Sequence, residues 1–111
     1  MDKVSLVLDA FVRHDLAAAA ACFAEDGHYR ERSREPIIGP EAIARHFSQF
    51  SENGASWRFV VDEVLRAGTG ACVVYRFAVE GQGGTTRERA GIALVRLNER
   101  GEISLWREYE G

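Results

Sequence analysis

Apolar residues recur at helical spacing through the first part of the chain and alternate with polar ones through the rest, which predicts helices first and a sheet second. Residues 2–13 carry Val4, Val7, Leu8 and Phe11 on one helical face. Asp15 is a good N-cap for a second helix running to Phe23. Its alanines, Ala17 to Ala21, have high propensity and permit close approach to a neighbour. Glu25-Asp26-Gly27 is expected to stop that helix, with glycine as the left-handed cap. His28–Arg32 reads as a short polar strand with Tyr29 and Glu31 on one side, His28 and Arg30 on the other. Pro36–Gly39 is a second extended piece. Pro40 and Glu41 then open a third helix with the stripe Ala42, Ile43, His46, Phe47 and Phe50.

Beyond the polar break Ser51–Ser56 the period falls to two. Strands are predicted over Trp57–Arg66, Ala71–Glu80, Thr86–Leu97 and Glu102–Tyr109. Glycine-bearing turns join them, at Gly68-Thr69-Gly70, Gly81–Gly84 and Asn98–Gly101, so they should form an antiparallel meander. Strands this long favour strong curvature. The expectation is one α+β domain over residues 1–111, with three N-terminal helices against a strongly curved antiparallel sheet.

The strands are apolar on both faces. Val73, Tyr75, Phe77 and Val79 oppose Cys72, Val74 and Ala78, and Ile92 and Leu94 oppose Ala93, Val95 and Leu97. Helices can cover only one face, so a homodimer through the other is expected. In the last strand Ser104, Trp106 and Glu108 share one face, and Ile103, Leu105, Arg107 and Tyr109 share the other.

Composition narrows the function classes. A formal charge of −3 with mixed signs offers no basic field for nucleic acid. No apolar run is long enough to span a membrane, and the N-terminus lacks a signal-peptide pattern. Cys22 and Cys72 lie in apolar stretches and read as buried thiols of a cytoplasmic protein.

The sequence holds no nucleotide, metal or nucleophilic-triad motif. Gly81-Gln82-Gly83-Gly84 has no following helix or lysine, so it is a hairpin turn. His14, His28 and His46 lack ligand spacing, and His46 reads as structural. No metal and no cofactor are expected. Arg76 interrupts an apolar strand and must be paired or exposed. It is either a structural or surface arginine, or the polar floor of an apolar pocket beside Glu31 or Glu108.

Three stretches carry a family resemblance: Phe23-Ala24-Glu25-Asp26-Gly27-His28-Tyr29, Ile38-Gly39-Pro40-Glu41-Ala42-Ile43, and Gly101-Glu102-Ile103-Ser104-Leu105-Trp106-Arg107-Glu108-Tyr109. With the order of elements, they make the chain resemble the SnoaL-like branch of the nuclear transport factor 2-like superfamily. The resemblance implies a cone-shaped domain whose curved sheet wraps a pocket capped by the helices, dimerising through its outer sheet face.

Trp106-Arg107-Glu108-Tyr109 is similar to the closing strand of limonene-epoxide-hydrolase-like members. That likeness implies Glu108 as a catalytic acid, Arg76 as its arginine and Tyr29 as a water-holding tyrosine. A second aspartate of that set falls on Ala78 and an asparagine on Glu31. Likeness to ketosteroid isomerases implies Glu31 as the base, while their oxyanion-hole residues fall on Val7 and Ala93. The implied site is therefore Glu31, Arg76 and Glu108 as catalytic residues, with Tyr29, Trp106, Ala78 and Arg89 binding substrate. Either Glu31 or Glu108 would be the base. The implied activity is cofactor-independent proton transfer, epoxide hydration or cyclisation on a small apolar organic molecule. The alternative is a non-catalytic ligand-binding or dimeric interaction module.

Overall fold

The computed structural model describes residues 1–52, 56–81 and 84–110. Helices α1 (Lys3–Val12) and α2 (Leu16–Ala21) lead into strands β1 (Phe23–Arg30) and β2 (Ile37–Ile38), followed by helix α3 (Pro40–Glu52). Strands β3 (Ser56–Ala67), β4 (Gly70–Glu80), β5 (Thr86–Leu97) and β6 (Ile103–Glu110) complete the chain. Both early helices start where expected. Asp2 accepts from the Ser5 backbone N–H at 2.9 Å, and Asp15 from that of Ala18 at 3.1 Å. The fully buried Ala19 and nearly buried Ala20 give α2 its close seat in the helical layer.

Six strands form one open, curled sheet in the order β2-β1-β6-β5-β4-β3. The predicted meander β3–β6 is antiparallel throughout, but β1 lies parallel to β6, so the sheet is mixed. Tight hairpins force antiparallel pairing only on consecutive strands. Strands β1 and β6 are far apart in the chain and escape that constraint. Irregularities in register fall between Val61 and Glu63, between Phe23 and His28, and between Arg96 and Leu97. Each adds local twist, which accounts for the curl.

Gly27 departs from its expected role. Helix α2 has already ended, with Cys22 as its C-cap, and Gly27 is buried within β1. A Cβ there would stand 2.6 Å from the Ile103 carbonyl oxygen, so glycine is what lets β1 lie against β6.

The core lies between the helices and the inner face of the sheet. Phe11 is its hub, with ring centroids 5.3 Å from Phe47, 5.2 Å from Phe59 and 5.4 Å from Trp106. Ile103 is fully buried in this core and does not face outward with Tyr109. The register shift after Arg96 brings Leu97 opposite Ile103 and breaks the alternation there.

On the outer face the cross-strand rows Leu65–Cys72–Leu94 and Val74–Ile92–Tyr109 lie side by side, with Leu65, Ile92 and Tyr109 exposed. In α3, Ile43 and Phe47 are fully buried as expected, while the side chain of Phe50 lies outside the described residues, as do Gln82 and Gly83 of the predicted hairpin turn. Among the described residues no helix is long and apolar enough to cross a membrane.

Candidate functional site

Strand alternation builds an aromatic cavity on the inner face of the sheet. Trp57 and Phe59 of β3, Tyr75 and Phe77 of β4 and Trp106 of β6 project the same way, and Phe11 of α1 closes over them. The space they enclose has a volume of about 200 Å³. Its polar groups are Tyr29, Glu31, Glu108 and Glu110, with the arginines Arg32, Arg34 and Arg89.

Glu108 and Trp106 sit two apart on β6, so both reach the cavity. The Trp106 indole Nε1 donates to Glu108 Oε2 at 2.9 Å. Across the strand Glu108 faces Ala93, a buried small residue that leaves its side chain room. Tyr29 of β1 lies in register with Trp106, and its hydroxyl is 3.2 Å from Glu108 Oε2 and 3.0 Å from Glu31 Oε2. Glu31 also takes His46 Nε2 at 3.1 Å and Arg34 at 3.5 Å. A carboxylate can only accept, so the His46 ring proton sits on Nε2 whenever Glu31 is ionised.

The two carboxyls of this chain of contacts titrate in opposite directions. Burial pushes Glu108 up to about 7, with the nearby Glu31 charge adding to the rise. Hydrogen bonds from Trp106, Tyr29 and Tyr75 oppose that rise without cancelling it. Burial would raise Glu31 too, but hydrogen bonding from His46, with Tyr29 and Arg34, outweighs it and holds Glu31 below the usual glutamate value. Tyr29 is pushed well up, by burial first and then by Glu108 and Glu31, so its hydroxyl keeps its proton. One hydroxyl hydrogen cannot serve two anions at once. Near neutrality the consistent state has Glu31 ionised, Tyr29 donating to it, and Glu108 holding or releasing the next proton. Such a split of two carboxyls is what separates an acid from a base at one pH.

The structure thus gathers Tyr29, Glu31, Trp106 and Glu108 at one site and places Arg89 at its mouth. Arg76 and Ala78 are corrections. They occupy the outer face, where Arg76 forms a two-pronged ion pair with Asp62 at 2.9 Å, and neither lines the cavity. Asp62 is the residue left over by the irregularity in β3. A strand has period two, so Arg76 and Ala78 share the face opposite to that of Tyr75 and Phe77. Tyr75 and Phe77 are the β4 residues that face the cavity.

Tyr75, Arg32, Arg34 and Glu110 are cavity residues absent from the expected site. The split of β4 into two faces could have found Tyr75. A second signal is Gly91, directly across from Tyr75 on β5. A Cβ at Gly91 would meet the Tyr75 hydroxyl oxygen at 2.8 Å, so the missing side chain makes room for the ring. Among the described residues no group of three or more His, Cys, Asp or Glu side chains is arranged to hold a metal ion.

Comparison with solved structures gives the same fold repeatedly. A nuclear transport factor 2-like protein from Burkholderia thailandensis superposes with a TM-score of 0.87 at 22% identity, covering 98% of this chain and 88% of its own. A limonene-epoxide-hydrolase-like epoxide hydrolase from Mycobacterium tuberculosis gives 0.81 at 17% identity, covering 98% and 80%. Another M. tuberculosis protein, solved in complex with estradiol-17β-hemisuccinate, gives 0.79 at 19% identity, covering 96% and 89%. At these identities the likeness is one of fold. No curated protein sequence matches the chain. The fold is thus nuclear transport factor 2-like; the model of the SnoaL-like domain matches residues 4–106, and the chain belongs to the SnoaL-like family.

Proposed function

We propose that the cavity takes a small, largely apolar organic molecule and that Glu108 exchanges a proton with it, without a cofactor. The observation that carries this reading is a carboxyl in an aromatic cavity, poised at about 7 and joined through Tyr29 to an ionised carboxylate. In its protonated form Glu108 is a general acid for a carbonyl or epoxide oxygen. Once ionised, it is a base for an acidic C–H or for water. Tyr29 then has a second role. As Glu108 loses its proton, the hydroxyl can swing its hydrogen from Glu31 towards Glu108 and stabilise the new charge. Proton transfer, epoxide hydration and cyclisation all need such a group.

The fold of the epoxide hydrolase is shared, but the arginine implied by the resemblance is on the wrong face here. Polarisation of a substrate oxygen therefore falls to Glu108 itself in its protonated form and to the Tyr75 hydroxyl, both of which line the cavity. A binding role without chemistry has one observation in its favour: Trp106 and Tyr29 already engage Glu108 Oε2.

The deciding experiment follows α-hydrogen exchange of cyclic ketones in D2O and hydration of cyclic epoxides. Catalysis by the wild type, with an inflection near pH 7 and loss in Glu108→Gln, supports the enzyme. Ligand binding with no turnover of either class leaves the binding module.

The outer face supports a homodimer. Its two apolar rows are open, and the buried Arg107 Nε has no acceptor among the described residues. A second sheet would cover the rows and could supply that acceptor. Sedimentation should give a dimer at micromolar concentration and a monomer for Ile92→Asp; a monomeric wild type refutes the arrangement. The free thiols Cys22 and Cys72 fit a reducing compartment such as the cytoplasm.

A further inference from the structure

Charge at the cavity mouth carries information about the ligand that the aromatic walls do not. The three guanidiniums of Arg32, Arg34 and Arg89 line the cavity, and the carboxylates beside them are Glu31 and Glu110. Three positive groups against two negative ones leave the mouth one charge positive, on a chain whose overall formal charge is −3. Glu108 does not cancel that excess while it holds its proton.

The pairing is uneven. Arg32 Nε is bonded to Glu110 Oε2 at 2.9 Å. Arg89 stands 3.9 Å from the same carboxylate, beyond hydrogen-bond reach, and Arg34 stands 3.5 Å from Glu31, at its limit. Glu31 is already engaged by Tyr29 and His46. The side chains of Arg34 and Arg89 are 72% and 53% exposed, so both reach solvent. Each guanidinium offers a planar fork of donors shaped for a carboxylate. Neither is held by a short bond, so an incoming anion displaces none in reaching either guanidinium.

We infer that the ligand is an amphiphilic organic anion, a compact apolar body seated among Phe11, Phe59, Phe77 and Trp106 with a carboxylate turned outward to Arg34 and Arg89. This orientation leaves the buried end of the apolar body beside Glu108 and the anionic end in the wet mouth, so the ligand's charge is not desolvated. The inference rests on the cavity being the binding site, as proposed above.

The test compares naphthalene-2-carboxylate with the neutral naphthalene-2-carboxamide by calorimetric titration at about pH 6, where a carboxylic acid with an ordinary pKa of ~4 is ionised. The carboxylate should bind about tenfold more tightly than the amide, and the gap should narrow as salt is added. In the double variant Arg34→Gln/Arg89→Gln the preference should vanish, with carboxylate affinity falling to that of the amide. Circular dichroism checks that the variant is folded, and each single variant serves if the double is not. Equal binding of the two probes, or a preference that survives loss of both arginines, overturns the anionic ligand and leaves the pocket reading intact. Binding of neither probe overturns the pocket reading and this inference with it.

Discussion

The indole of Trp106 donates to the carboxyl of Glu108 from two positions away on the same strand face, at 2.9 Å. Of the hydrogen bonds that hold down the titration of Glu108, this one has the largest effect, followed by that of Tyr29. Trp106→Phe and Tyr29→Phe should each raise the Glu108 titration above its value of about 7, Trp106→Phe by more. Carbon-13 NMR of the glutamate carboxyls over pH would follow it directly. A midpoint that stays put or falls would contradict the assigned partners. Trp106 is fully buried, so its replacement should also cost about 1–3 kcal/mol of stability.

Stability should depend on pH through the same residue. The folded form of Glu108 titrates at about 7 against an ordinary value of 4.5, so between those limits the folded state binds more protons than the unfolded one. Its contribution is fully present below about 4.5 and is lost as pH rises to about 7, a change of roughly 3 kcal/mol. Urea unfolding at pH 5 and pH 8 should show this fall in the wild type and little of it in Glu108→Gln. Glu31 works the other way, because its folded value is lowered. Its contribution is present above the ordinary glutamate value and is lost in more acidic solution, so the two effects separate along the pH axis.

Much of this site was legible before any coordinates. Alternation alone put Trp106 beside Glu108, two apart on one continuous strand, and Tyr29 beside Glu31, which directly follows the end of β1 and keeps its side. What escaped was information held between strands. Alternation separates Tyr75 from Arg76 without stating which face of β4 is inner, and the family correspondence assigned Arg76 to a cavity that Tyr75 lines instead. The hydroxyl of Tyr29 meets Glu108 because β1 and β6 lie parallel and in register, a pairing that no hairpin announces. Gly27 met every local requirement of a helix cap, yet it is fixed by the Ile103 carbonyl, which lies far along the chain.

Arg76→Ala should leave catalysis and ligand affinity unchanged, since the Arg76–Asp62 pair lies on the outer face. Any loss of stability should be small and should shrink as salt rises, as for other exposed ion pairs. Abolished turnover in a folded Arg76→Ala variant would mean that the inner and outer faces of β4 have been assigned the wrong way round.

Gly91→Ala probes the cavity wall through a residue that does not line it. The added methyl would stand 2.8 Å from the Tyr75 hydroxyl and 3.0 Å from the Tyr109 carbonyl, so the ring must move. A cost of about 1–3 kcal/mol is expected, together with weaker binding of aromatic probes. Full retention of both would show that Tyr75 can leave its position freely, and would remove it from the site.

The sheet order also sets the timing of folding on the ribosome. Strand β6 is the last of the described strands to be made, yet it lies inside the sheet, between β1 and β5. Until it arrives, β1 with β2 and β3 with β4 and β5 are two separate ribbons without a seam. Phe23 and Tyr29, buried in the finished fold, must wait until β6 is made with one flank of their strand unpaired. The nascent chain is therefore most vulnerable to aggregation just before the strand that carries Glu108 emerges, and that strand completes both the fold and the site.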